Sequence, residues 1–205
     1  MTWPSSPEEL VEVQSGLAVA AVEPWAPPEV AAVGGCFVCF ERGLAGAGEP
    51  GDRGWAGAAV LRAGRLLATA SVEGIAGAAY RSGLLALREG ALLEGAVRAL
   101  DTRPDVLIVN ATGRDHPRRA GLALHLGAVL DLPTVGVTDR ALVDEGAARW
   151  VRTRPDARPL LVHAGWRTDL ASAVDVVVAA TRRARTPEPL RRAREVARRA
   201  RSAAA

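Results

Sequence analysis

Hydrophobic and polar positions alternate between two rhythms along this chain. Val30 to Phe40 is an apolar run rich in β-formers and predicts a strand, entered after the breakers Pro24, Pro27 and Pro28. After the Gly-rich turn Gly43–Gly54, Trp55–Leu61 and Arg65–Val72 predict two strands around Arg62-Ala-Gly-Arg65, an antiparallel hairpin. Helical spacing appears at Leu92, Leu93, Val97 and Leu100, predicting a helix over Glu89–Leu100. Asp105-Val-Leu-Ile-Val-Asn110 is a short apolar strand ending on a polar residue, followed by a helix over Pro117–Leu130 and a strand over Pro133–Val137. Strand, loop, helix and strand in that order imply parallel pairing through a crossover. Trp150–Thr153 and Leu160–His163 predict short strands, and Leu170–Thr181 a helix capped by Asp169. At the two ends, Ser6 is placed to cap a helix through Glu8–Val13. Beyond Pro187 and Pro189 a last helix carries Arg191, Arg194, Arg198 and Arg201 on one face and Ala193, Val196, Ala197 and Ala200 on another.

The implied fold class is α/β, a mixed sheet flanked by helices, with a site expected at strand ends near Phe40, Asn110 and Val137. A chain of 205 residues with 49% hydrophobic and 4% aromatic residues builds its core from Ala, Val and Leu. All 26 basic residues are arginine, which excludes lysine Schiff-base chemistry and lysine-dependent phosphate loops. Two cysteines cannot form a disulfide framework, and no apolar run is long enough to span a bilayer, so no membrane partner and a cytoplasmic location are expected. Cys36 and Cys39 lie three apart on a strand, pointing to opposite faces, and read as small buried hydrophobes rather than a metal or redox pair. From Thr181 onward nine arginines face two glutamates, a net +7, leaving −4 on the body of a chain whose total is +3. Electrostatic attraction to nucleic acid is expected chiefly from that segment, with a merely solvated helix as the alternative.

The stretch Leu107-Ile-Val-Asn-Ala-Thr-Gly-Arg-Asp-His-Pro-Arg-Arg-Ala-Gly-Leu-Ala-Leu-His-Leu-Gly127, followed by Leu132-Pro-Thr-Val-Gly-Val137, resembles the endonuclease V family. Gly83-Leu-Leu-Ala-Leu-Arg-Glu89 resembles its second block, and Arg152-Thr-Arg154, Arg158-Pro-Leu160 and Pro187-Glu-Pro-Leu190 resemble later landmarks in order. The resemblance runs from about Val30 to Glu195. It implies a ribonuclease H-like fold; the chain is expected to divide into an endonuclease V-like domain over 1–186 and the Arg-rich C-terminal helix over 187–205. It also implies an activity, nicking DNA or RNA near inosine with Mg²⁺ or Mn²⁺.

The family's chemistry sits on positions that this chain has mostly changed. Phe37 stands where the resemblance implies a metal-binding aspartate, and Asn110, the only asparagine, where it implies a second. Glu89 keeps its carboxylate. Asp139 occupies the position of a lysine that meets the scissile phosphate, and Trp166 that of a histidine. Hard divalent cations prefer several anionic oxygens, and Glu89 alone supplies one, so no metal cofactor is expected. Phe37 and Trp166 are expected to fill the emptied metal site together. The binding side is kept: the resemblance places an extruded base against Gly83, Leu85, Ala111 and Gly113, with Tyr80 as a strand-separating wedge and His116 also matching.

Four functions remain open at this point. One is a catalytically degenerate relative that keeps nucleic-acid or nucleobase binding, with DNA or RNA as partner. A second is a working nuclease with a rearranged site. A third is an enzyme acting on a small purine-like ligand through Glu89, Asp139 and His116, an acid–base set near Asn110, and a fourth is a structural or interaction protein with no ligand. Against that set, Asp139 reads equally as the cap of a helix starting at Arg140. His125 and His163 read as structural, and Asp115 as a carboxylate whose reach toward the site is undetermined.

Overall fold

The computed structural model describes residues 3–143 and 146–204. A seven-stranded sheet runs β3-β2-β1-β4-β5-β7-β6 across the molecule. Strands β1 (Ala32–Phe40), β2 (Arg53–Arg62) and β3 (Arg65–Ile75) form an antiparallel meander. Ala63 and Gly64 both take left-handed φ at the β2–β3 turn, as a tight two-residue hairpin requires. From β1 the sheet continues in parallel through β4 (Val106–Val109) to β5 (Thr134–Thr138), the crossover being α3 (Leu122–Leu130). It then turns antiparallel through β7 (Leu160–Ala164) to the edge strand β6 (Ala148–Val151). Every strand expected from the sequence is present, with ends shifted by a few residues.

Period-two alternation sends each strand's side chains to two cores. Cys36, Val38, Leu107 and Val109 face α2 (Leu85–Arg98) and α3, packing on Leu92, Leu93, Leu122 and Leu126. Ile108, Val135, Val137 and Val162 face the other way, onto Ala173, Val176 and Val177 of α4 (Leu170–Ala179) and Leu190 of α5 (Glu188–Ala203). The first helix, α1 (Pro7–Val19), is capped by Ser6, whose hydroxyl accepts from the Glu9 amide at 3.1 Å, and packs on α3. Asp169 caps α4 by accepting from the Ser172 amide at 2.7 Å.

The Arg-rich segment packs directly on the sheet as α5. Gly35 and Gly57 leave room for it: a β-carbon on Gly35 would come within 2.4 Å of the Pro189 carbonyl carbon, and one on Gly57 within 2.5 Å of the Ala193 oxygen. Arg192, Arg198 and Arg199 are exposed on its outer side. Arg191 and Arg192 pair with Glu188 and Glu195, and Arg201 donates to the Phe40 carbonyl at 3.0 Å.

Several local expectations change, with α1 running on to Val19 and α2 beginning at Leu85 rather than Glu89. Helix α3 begins at Leu122 rather than Pro117, because Arg119 takes a left-handed φ of 54° and Gly121 is the extended N-cap. No helix starts at Arg140; the Thr138 hydroxyl donates to the Arg140 carbonyl at 2.8 Å in an irregular segment, so Asp139 is not a helix cap.

Candidate nucleobase site

The ends of β1, β4 and β5 open on one side of the sheet, where the loops 41–52, 76–84 and 110–121 converge. A cavity of about 430 Å³ is bounded there by Tyr80, Gly83, Leu85, Asn110, Ala111, His116 and Asp139, with Gln14 and Thr112 beside them. A second cavity of about 340 Å³ holds Phe37, Glu89 and Cys36. Tyr80, Leu85 and Asn110 line both. Gly113 lines neither; it is packed beneath, where a β-carbon would strike the Ala164 carbonyl.

The larger cavity is rigid on one wall. The Gly83 carbonyl accepts from Arg118 Nη2 at 2.7 Å and His116 Nε2 at 3.1 Å, with Gln14 Nε2 at 3.5 Å. His116 Nδ1 accepts from the Arg118 amide at 3.2 Å, which fixes the proton on Nε2. Burial and the Arg118 charge hold the imidazole down to about 4, so it stays neutral with both nitrogens engaged. Gly83 has φ +77°, and α2 follows with Leu84 at its N-cap and no side-chain cap. The Leu84 amide donates to the Arg81 carbonyl and the Leu87 amide to the Leu84 carbonyl, which leaves the first-turn amides of Leu85 and Ala86, both at the cavity, for an acceptor-rich ligand edge.

Tyr80, 52% exposed, stands at the rim and donates its amide to the Ala47 carbonyl at 2.9 Å. Arg88 organises this rim. Its guanidinium donates to Asp52 at 2.8 Å, to the Ala78 carbonyl at 2.7 Å and to the Glu49 carbonyl at 3.3 Å, and lies 4.1 Å from the centre of the Phe40 ring. The Arg88 bond, with the Glu49 amide donating to the same carboxylate at 2.8 Å, holds the Asp52 carboxyl below its ordinary value.

In the smaller cavity, burial pushes the Glu89 carboxyl up to about 7, with the Arg88 charge acting against the rise. Phe37 projects to the α5 face of the sheet, and the Arg194 guanidinium lies 4.9 Å from its ring centre. Arg194 Nε is buried with no hydrogen-bond partner among the described residues. Trp166 does not join Phe37. It packs on Leu17, Ala120 and Leu124 between α1 and α3, on the opposite face, because the turn after β7 leads away from the site. The expectation that the two rings fill one emptied site is therefore corrected: Phe37 is covered by Arg194, and Trp166 belongs to another core.

Asp139 is exposed and bound to Arg185 at 2.5 Å, and it lines the larger cavity whereas Glu89 lines the smaller. Asp115 is buried and accepts from the Leu142 and Val143 amides at 3.2 Å each, bracing the segment after β5 rather than entering the site. His163 is a buried partner of the Thr138 hydroxyl at 2.7 Å, and His125 is buried against Trp3. Neither histidine lines the two cavities.

A divalent cation does not fit these donors. Glu89 is joined by a neutral amide at Asn110 and by a phenyl ring already facing a guanidinium. Among the described residues, no group of three or more His, Cys, Asp or Glu is arranged to hold a metal ion.

Sequence reasoning missed Gln14, Arg88, Arg118 and Arg194. A signal existed for Arg88: it interrupts the apolar face of α2 between Leu84 and Leu92, and a charge on that face needs a buried partner. Gln14 and Arg118 meet across 104 positions, at 2.6 Å, which no local pattern announces.

The sequence profile of the family Endonuclease V matches residues 22–149 and 142–195. Endonuclease V of Gloeobacter violaceus is 35% identical over 94% of this chain and 85% of its own length. The crystal structure of endonuclease V from Streptomyces avermitilis superposes with a TM-score of 0.84 at 34% identity, covering 98% of this chain and 96% of that one. Endonuclease V of Ciona intestinalis, solved with a 23-mer DNA containing an inosine, shares the fold at a TM-score of 0.81 and 20% identity, over 98% of this chain and all of that one. The mixed sheet with flanking helices is the ribonuclease H-like arrangement of these structures. By sequence and by fold, the chain belongs to the endonuclease V family.

Proposed function

We propose that this protein binds an inosine-type base extruded from a nucleic-acid strand and lacks the metal-dependent nicking reaction. The observation that carries the reading is the Arg194 guanidinium 4.9 Å from the Phe37 ring. Positive charge at that position comes from the protein's own side chain, and the residue beneath it offers no oxygen. Asn110 adds a neutral carbonyl, and Asp139 places a carboxylate, already neutralised by Arg185, on the neighbouring wall. On the binding side, the cavity beside Gly83, Leu85 and Ala111 admits a purine-sized ring with acceptors directed at the α2 amides. His116, neutral and with both nitrogens in use, acts as a positioning residue for Gly83 rather than an acid or base. The Ciona relative's complex with inosine-containing DNA supports the ligand class.

The test measures binding and cleavage together on inosine-containing single- and double-stranded DNA and RNA, with Mg²⁺ and with Mn²⁺. Binding without nicking is expected, with Glu89→Ala leaving cleavage at background. Metal-dependent nicking that disappears in Glu89→Ala would overturn the reading. Absence of both binding and nicking would overturn it equally.

A further inference from the structure

Two aromatic side chains among the described residues are more than half exposed, Tyr80 at 52% and Trp150 at 51%. Tyr80 borders the base cavity. Trp150 borders an adjoining open cavity whose other walls are Asp139, Arg140, Arg158, Pro159 and Arg185. Asp139 and Arg140 line both cavities, so the two form one continuous surface running from Tyr80 to Trp150. Strand register sets the direction of the indole. Trp150 pairs with Leu161, and Leu161 with Thr138, so Trp150 stands on the sheet face from which Thr138 enters the base cavity. The wall beside it is fixed: Arg185 donates to the carbonyls of Arg158 and Pro159 at 2.6 and 2.8 Å and neutralises Asp139.

We infer that Trp150, with Arg140 and Arg158, is a stacking platform for the single-stranded nucleotides flanking the extruded base. This rests on the proposed base-binding reading and extends it from one base to the adjoining strand. An exposed indole among guanidinium groups offers a π-face for any base and cations for the backbone, which is how unpaired strands are held without sequence preference. Arg194 and the α2 amides take no part in it.

The experiment compares wild type, Trp150→Ala and Trp150→Phe on three probes: a short inosine oligonucleotide, the same inosine strand extended on either side, and an unmodified oligo-dT. Trp150→Ala is expected to bind the extended strand and oligo-dT about fivefold or more weakly, the loss of one stacked base. It keeps wild-type affinity for the short probe, and Trp150→Phe restores most of the difference. Arg140→Ala is expected to flatten the salt dependence by about one counterion. Equal affinity of wild type and Trp150→Ala for the extended strand and oligo-dT overturns the platform, whatever the short probe does. Absence of wild-type binding to oligo-dT and to the extended strand overturns it too. Wild-type binding of oligo-dT that falls in Trp150→Ala, without preference for inosine, supports the platform while refuting the base-binding reading. The exposed position makes the variants' thermal unfolding the control for folding.

Discussion

Glu89 and the three histidines titrate away from their ordinary values through burial, and their effects on stability oppose each other. His116, His125 and His163 are each held down to about 4, so below their ordinary value of 6.5 the unfolded chain takes up protons that the folded chain refuses. Their contribution is whole above 6.5 and is lost as pH falls toward 4. Glu89 runs the other way: folded, it keeps its proton up to about 7, so its contribution is present at acid pH and lost between 4.5 and 7. Three sites outweigh one, and stability is expected to fall on acidification from 6.5. Glu89→Gln is expected to steepen that acid loss and remove the decline between 6.5 and 7, read from urea midpoints across the range. An unchanged pH profile in Glu89→Gln would show that its carboxyl titrates normally.

The elements of this fold were legible where one rhythm or one cap decided them. The β2–β3 hairpin followed from Ala63-Gly64 between two strand-like runs, and α4 from Asp169. The start of α3 was not legible, since residues 117–121 carry a helix-compatible pattern and a left-handed Arg119 that only the packed loop requires. Nor did the sequence announce how close α5 lies to the sheet; Gly35 and Gly57 read as mere strand-weakening residues until a helix backbone is seen against them. Gly57→Ala is accordingly expected to destabilise the protein by about 1–3 kcal/mol, the cost of forcing a methyl into a filled contact. Leu190→Ala, which empties a buried position in the same contact, is expected to cost about 2–5 kcal/mol. Denaturant unfolding measures both.

At the scale of the molecule, the family blocks made one cavity legible: Gly83, Leu85, Ala111 and Asn110 meet there, while Gly113 is packed beneath it. The smaller cavity was half legible. That Phe37 and Asn110 carry no carboxylate could be read directly, but the guanidinium over Phe37 could not. Arg194 is separated from Phe37 by nearly the whole chain, and its side chain gave no sign of facing a ring rather than solvent. The division at residue 187 likewise has a physical test. Removing 187–205 uncovers Gly35, Gly57 and the face beneath Leu190, so the shortened chain is expected to lose cooperative unfolding; a shortened chain that unfolds sharply at the wild-type midpoint would make the segment a true appendage.

The contact between Arg194 and Phe37 also bears on biosynthesis. Phe37 leaves the ribosome long before Arg194, and in the interval the meander β1–β2–β3 has no helix over its two glycines. A nascent chain can therefore pair its strands early, yet it exposes the apolar face at Val33, Ile108 and Val135 until α4 and α5 emerge. A chain that ends before α4 and α5 leaves that face uncovered, so covering it waits on the completion of translation.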